Sequence, residues 1–239
     1  YEVGQYADGV SRMQDFLNSV EPSTIIPSDY KYYARLLSKN EQDSLSIVYY
    51  QKAIVTSNSP QEFYKEIAIV YERMKKFDMA AVYYEKYIRG VKKADYSDVF
   101  NWGKDLYFAA DNIDSLSQVN DSTRIEHRKE LYYKADSVFS QLIIISPENY
   151  LGYLWRARVN AIFDPESENG LAKPFYEKVV EVLELSKSFN LKELIETYQY
   201  LGYYYFIKED LKQSKIYWNK ILTIDPENEI ARKAVEGMK

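Results

Sequence analysis

A small residue, a second small residue and a large aromatic return along this chain in a fixed order, and that recurrence constrains the fold more than any other feature. The first small positions are Ala34, Ala68, Gly103, Ala157 and Gly202, and the second are Ser46, Ala80, Ala135, Ala172 and Ser214. Four residues after each of the second set stands an aromatic: Tyr50, Tyr84, Phe139, Tyr176 and Trp218. Small residues at facing points of two helices let the backbones meet, and an aromatic one turn later fills the gap to the next pair. Burying such a ring removes of the order of 150–250 Å² from water. At about 25 cal/mol per Å² that stabilises the packing by a few kcal/mol. The chain has 25 tyrosines against 8 glycines and 7 prolines. Most of the tyrosine excess is therefore assigned to the core of a helical chain with short connections.

The last third shows the pattern in full. Tyr198, Leu201, Gly202, Tyr205, Ser214, Trp218, Ile221 and Pro226 fall as aromatic-x2-Leu-Gly-x2-Tyr, small-x3-aromatic, then Pro. These residues resemble the tetratricopeptide repeat (TPR) signature, a helix–turn–helix unit of about 34 residues. The resemblance implies an all-α fold, a right-handed α-α superhelix (TPR solenoid) formed as a single array over 1–239. Its full units are expected at 27–60, 61–94, 95–148, 149–188 and 195–228. Residues 1–20 resemble the second helix of a partial N-terminal unit, with Gly4, Tyr6, Gly9, Met13 and Phe16 in place, and 229–238 a closing helix. Asp225-Pro226-Glu227-Asn228 reads as the stop of one helix and the capped start of the next.

Two units depart from the repeat length. The unit at 95–148 carries about 20 extra residues between its helices relative to the 34-residue repeat. Asp111 to Asn120 is polar and turn-like, while Thr123 and Glu126 form a capping-box pattern that starts a helix running to about Ile145. The next unit has a shorter insertion over Asp164-Pro165-Glu166-Ser167-Glu168-Asn169-Gly170. Both lie in the turn between first and second helix of consecutive units, so stacking would bring them together along one edge. They would form an accessory contact surface there, or pack only on each other.

The chemistry open to this chain is narrow. A net charge of −5 without a long basic run argues against a nucleic-acid partner. The absence of cysteine removes disulfide and thiolate chemistry. The single histidine, His127, has no partner in the sequence for nucleophilic or metal work, so neither metal nor cofactor is expected. Glu177, Glu181 and Glu184 share one helix face and read as a solvated stripe. No phosphate-cradling loop, nucleophile elbow or dinucleotide fingerprint is present. Apolar runs such as Leu142 to Ile145 fall far short of the ~18–20 residues of a transmembrane segment. The chain begins at Tyr1 rather than Met, which leaves room for a leader or an upstream repeat before it.

The TPR resemblance implies a concave groove lined by the first helices. One position after each first small residue stand Arg35, Ile69, Lys104, Arg158 and Tyr203, and four residues earlier Lys31, Lys65, Phe100, Leu154 and Gln199. Asn101, Tyr107, Trp155 and Tyr200 are neighbours. The resemblance thus points to a non-catalytic protein-interaction module whose groove residues are Lys31, Arg35, Lys65, Phe100, Asn101, Lys104, Leu154, Trp155, Arg158, Gln199 and Tyr203. Its partner would be a peptide or protein segment carrying acidic residues, steered by the cations and anchored by Phe100, Trp155 and Tyr203. The other reading of these cations is that they pair with groove carboxylates such as Glu62, Glu66 and Glu72. TPR cochaperones that grip heat-shock protein tails use a specific Lys/Asn, Asn, Lys/Arg clamp. Lys31, Arg35, Glu66, Ser97 and Asn101 occupy those positions here, and only Lys31 agrees. Two further functions remain: a structural scaffold that self-associates through its open N-terminal end or supports a neighbouring domain, and a small-molecule binder or enzyme. The lysine- and tyrosine-rich style and the long insertion are similar to bacterial TPR proteins of the cell envelope, which favours periplasm or envelope over cytoplasm.

Overall fold

The computed structural model describes residues 5–113, 122–185 and 190–238, and these are all helix and connection, with no strand among them. Among the described residues twelve α-helices follow in order. They are α1 (Tyr6–Ser19), α2 (Pro27–Lys39), α3 (Asp43–Thr56), α4 (Gln61–Arg73), α5 (Phe77–Gly90) and α6 (Tyr96–Ile113). Then come α7 (Ser122–Ile145), α8 (Tyr150–Phe163), α9 (Lys173–Leu185), α10 (Leu191–Ile207), α11 (Leu211–Ile224) and α12 (Glu229–Gly237). Gly4 and most of the polar stretch from Asp111 to Asn120 lie outside the described residues. The chain divides into two compact units, Tyr1–Leu131 and Tyr132–Lys239, with the border inside α7. In the first, α2 packs on α3 and α4 on α5; in the second, α8 packs on α9, α10 on α11 and α12 on α11.

The helix ends are set by local chemistry. Pro27 opens α2, where its missing N–H would have no helical partner in any case. Asn190 and Asn228 cap α10 and α12, their side chains accepting from Lys192 N and Ala231 N at 3.0 and 3.1 Å. Three turns between paired helices share one form. Glu41, Lys75 and Glu209 adopt left-handed φ of 61°, 57° and 59°. The next N–H, of Gln42, Lys76 and Asp210, then donates back to Leu37, Tyr71 and Tyr205 O at 2.9 Å in each case. This is the Schellman closure, normally built on glycine. Each non-glycine residue held there costs roughly 1–2 kcal/mol, which the closing bonds and the helix packing offset.

The recurring residues form the core. Ala34, Ala68 and Ala157 are fully buried, Gly103 and Gly202 are buried, and so are all the second-helix small residues. Tyr50, Tyr84, Phe139, Tyr176 and Trp218 are buried beside them. Where the second small residue is serine it does more than fit. Ser46 Oγ donates to Ala34 O, and Ser214 Oγ to Gly202 O, both at 2.7 Å. A hydroxyl that would otherwise be an unsatisfied buried group thus ties the two helices at their closest approach.

The shorter insertion forms a tight loop on α10. Asp164 is almost fully buried and accepts from Asn169 N at 3.0 Å and Leu171 N at 3.2 Å. Burial opposes its ionisation, but these N–H donors prevail and hold its carboxyl below the usual range. Gly170, at φ 65°, lies under the Tyr204 ring, where a Cβ would come within 2.7 Å of it. Lys208 Nζ fastens the loop further, donating to Glu168 O at 2.6 Å.

Candidate functional site

The first helices of both units carry cations that reach carboxylates on the helices beside them. In the first unit, Lys31 of α2 pairs with Glu62 of α4, and Arg35 donates through Nε and Nη2 to Glu66. Tyr50 OH donates to the other oxygen of Glu66 at 3.0 Å. Burial, followed by the neighbouring carboxylate, pushes the Tyr50 phenol well up, so it stays a donor. Lys65 Nζ lies 2.6 Å from Asp98 Oδ1. Lys104 makes no ion pair among the described residues; its Nζ sits 5.5 Å from the centre of the Phe100 ring. Asn101 Nδ2 donates to Tyr84 OH at 3.4 Å.

The second unit repeats the arginine–glutamate–tyrosine arrangement. Arg158 of α8 grips Glu196 of α10 with Nε at 2.8 Å and Nη2 at 2.6 Å, and Tyr176 OH donates to the same carboxylate at 3.2 Å. The guanidinium also lies 4.7 Å over the Trp155 ring. Gln199 is half-buried, and Tyr203 is 43% exposed. Beyond Tyr203 is an apolar opening of about 290 Å³ formed with Phe206, Trp218, Ala234 and Met238.

Two expected groove residues are corrected. Trp155, expected as an apolar anchor, is only 7% exposed. Leu154 is fully buried and belongs to the core with Ala157 and Tyr176. The reason is that α8 buries much of its circumference, Gly152, Leu154, Trp155, Ala157 and Val159 all lying inside. The cations Lys31, Arg35, Lys65 and Arg158 stand on the first helices, but each already holds a carboxylate.

The sequence pattern also conceals an acid. Asp105 of α6 is 1% exposed and occupies the repeat position filled by Val70 and Val159 elsewhere. Its Oδ2 has no hydrogen-bond partner. Burial first, then the charge of Glu72, push its carboxyl up to about 8 against the pull of Lys104. Lining the repeats up column by column shows it as the one carboxylate among apolar residues. His127 is exposed on α7, its Nδ1 3.8 Å from the Glu130 carboxylate. Among the described residues no three His, Asp or Glu side chains are placed to hold a metal ion. No helix among them is long and apolar enough to cross a membrane.

No family model and no curated protein matches the chain. Solved structures do. The C-terminal part of a TPR repeat-containing protein from Cytophaga hutchinsonii is 32% identical over 98% of this chain and 83% of that one, with a TM-score of 0.79. YrrB, described as a TPR protein with an unusual peptide-binding site, is 16% identical over 94% of this chain and 97% of its own, with a TM-score of 0.59. MamA from Desulfovibrio magneticus, from residue 41 onward, is 12% identical over 85% and 97%, with a TM-score of 0.57. The last two share the fold alone. The Cytophaga relative adds sequence identity across nearly the whole chain, at repeats whose small and aromatic positions are buried here as the TPR pattern requires; the chain belongs to the tetratricopeptide repeat family.

Proposed function

We propose that the chain is a non-catalytic scaffold that holds a peptide or protein segment on its first-helix faces. TPR arrays serve in general as protein-interaction scaffolds, and one observation supports that role here. One residue past the fully buried Ala68, Ile69 is 44% exposed, and one past the buried Gly202, Tyr203 is 43% exposed. Each compact unit thus leaves an apolar group open on a first helix, one step round from its tightest packing. Lys31, Arg35, Lys65, Phe100, Asn101 and Lys104 stand on the first helices of the first unit, and Arg158 and Gln199 on those of the second. The ion pairs change how these residues act. An acidic partner meets cations that already hold a carboxylate, so apolar anchors supply the affinity while the charges orient the segment.

A pull-down from bacterial extract tests this, with the native chain beside an Ile69→Asp/Tyr203→Asp variant of equal helicity. These two side chains are exposed and make no ion pair, whereas reversing Arg35 or Arg158 would strand Glu66 or Glu196. A protein captured by the native chain and lost by the variant is the expected result. Equal capture by both would sink the first-helix reading.

A second reading has its own observation. No residue of α1 is buried, and Phe16, Ile26 and Tyr32 in and beside the first two helices are 41%, 55% and 58% exposed. We propose that a second copy or a neighbouring domain packs on this exposed apolar face. Light scattering should then give a dimer mass that persists on dilution and falls to the monomer on Phe16→Ser/Tyr32→Ser substitution. A monomer at every concentration counts against the second copy.

A further inference from the structure

Four cations of the first-helix faces are already neutralised, so an acidic partner needs a place where positive charge and hydrogen-bond donors remain. The first unit has one. An opening of about 290 Å³ lies between α2 and α4, walled by Arg35, Lys39 and Arg73 and floored by Tyr50, Val70 and the exposed Ile69.

The donors of this opening can be counted. A guanidinium carries five N–H groups. Arg35 commits Nε and Nη2 to Glu66. Arg73 commits Nε and Nη2 to Asp43, with Nη2 also reaching Ser38 Oγ. Arg73 Nη1 and Lys39 Nζ meet no acceptor among the described residues, while the Arg35 guanidinium also lies in hydrogen-bond reach of Tyr50. Three cations stand against the one lining carboxylate, Glu66, which leaves +2; subtracting Asp43, which holds Arg73, still leaves +1. The opening beside Tyr203 and Phe206 is lined by a single cation, Lys233, and a larger one of about 470 Å³ beside Phe77 by Lys75 and Lys76 against Asp78, without an arginine.

We infer that this opening is a carboxylate subsite: it takes an acidic group of the partner segment on Lys39 Nζ and Arg73 Nη1, beside the Arg35 guanidinium, with an adjoining apolar side chain laid on Ile69. The inference rests on the reading that the first-helix faces hold a peptide, and gives that peptide its chemistry. The incoming carboxylate displaces none of the chain's own, because it uses donors they leave free. Charge-assisted bonds of this kind are short and roughly twice as strong as neutral ones. The set differs from the heat-shock tail clamp, whose positions this chain fills with Glu66, Ser97 and Asn101.

The test is a random-peptide display selection on the full native chain, followed by fluorescence anisotropy of the synthesised winners against native chain, Lys39→Glu and Ile69→Asp. Lys39 is exposed and unpaired, so its reversal leaves the fold intact, which circular dichroism checks. The winners should carry Asp, Glu or a free C-terminus beside a large apolar residue. Lys39→Glu should weaken them by roughly tenfold or more and flatten their salt dependence. Amidating the C-terminus then tells a terminal carboxylate, whose binding is lost, from a side-chain one, whose binding is kept; either supports the subsite. Winners without acidic enrichment, or bound equally by native and Lys39→Glu, overturn the subsite. If such peptides are still lost with Ile69→Asp, the peptide-holding reading survives without it. No peptide selected at all overturns both.

Discussion

Asp105→Asn should stabilise the chain, and the gain should grow as pH rises from about 4 to about 8. Asp105 lies inside α6 with 1% of its surface exposed and an Oδ2 that meets no donor. Asp98, seven residues earlier and equally buried, differs because its Oδ1 has Lys65 as a partner. A carboxylate left without one in a poorly solvated site keeps its proton. Glu72 of α4, itself raised first by burial and held by Tyr84 OH at 3.3 Å, adds like charge; Lys104 partly counters both.

The direction of the shift sets the sign of the pH dependence. The folded carboxyl titrates near 8 and the unfolded one near 3.8. Between those values folding takes up a proton, so stability falls as pH rises through the window and is flat in this group on either side. The slope is at most about 1.4 kcal/mol per pH unit. After allowance for relaxation, roughly 3 kcal/mol of destabilisation should have accumulated by pH 7. Asn copies the protonated shape without the charge, and Val restores the residue of the neighbouring repeats. Urea melts at pH 4.5 and 7.5, with hydrogen exchange of the α5 and α6 amides to localise the effect, check this. Native and Asp105→Asn chains should nearly coincide at the lower pH and separate at the higher. Parallel pH profiles would show that Asp105 is ionised and solvated in the folded chain.

What the sequence discloses about this fold is set by which constraints act at fixed spacing. Two helices that touch must each offer a small residue at the crossing, so Ala34 with Ser46 and Gly202 with Ser214 stand out as a column of the repeat on spacing alone. The turn that joins them does not. Glu41, Lys75 and Glu209 hold left-handed backbone without being glycine, because the back-bonding of the next N–H and the packed helices override the local preference. The candidate site is legible to the same degree. Helix periodicity puts Arg35 and Arg158 on the first helices, but their partners Glu66 and Glu196 lie 31 and 38 residues on, in the following unit, at two different repeat positions. No local rule joins those pairs. Leu154 shares its column with Lys31 and Lys65 yet is core, because the neighbours of α8 cover more of it than the column implies. Asp105 stands out only when the repeats are lined up in columns, since clustering of chemical residues, the usual mark of a site, passes over a single acid.

Gly202→Leu should cost about 3 kcal/mol or more, the upper end of overpacking effects. Gly202 is the residue of α10 that lies against α11 at their closest approach. A Cβ there would stand 2.8 Å from Cε2 and Nε1 of Trp218. Trp218 is itself set among Leu201, Ile221 and Ala231, all fully buried, so that side has no room for it to retreat. The helices would have to part instead, stretching the 2.7 Å bond from Ser214 Oγ to Gly202 O. Slack lies toward the opening beside Tyr203 and Phe206, and a Trp218 ring driven that way would fill it. Two forces therefore compete in the milder Gly202→Ala: better helix propensity, worth about 1 kcal/mol, against a single clashing methyl. Leucine adds bulk without adding propensity, and the clash wins. A double-mutant cycle isolates the cause. Trp218→Ala alone should cost about 3–5 kcal/mol by leaving a cavity. In that background the leucine enters the vacated space, so the double variant should lose less than the sum of the singles by roughly 1 kcal/mol or more in urea melts. Strict additivity would mean that the leucine is felt elsewhere than at Trp218, and that the small first-helix residue serves something other than this contact.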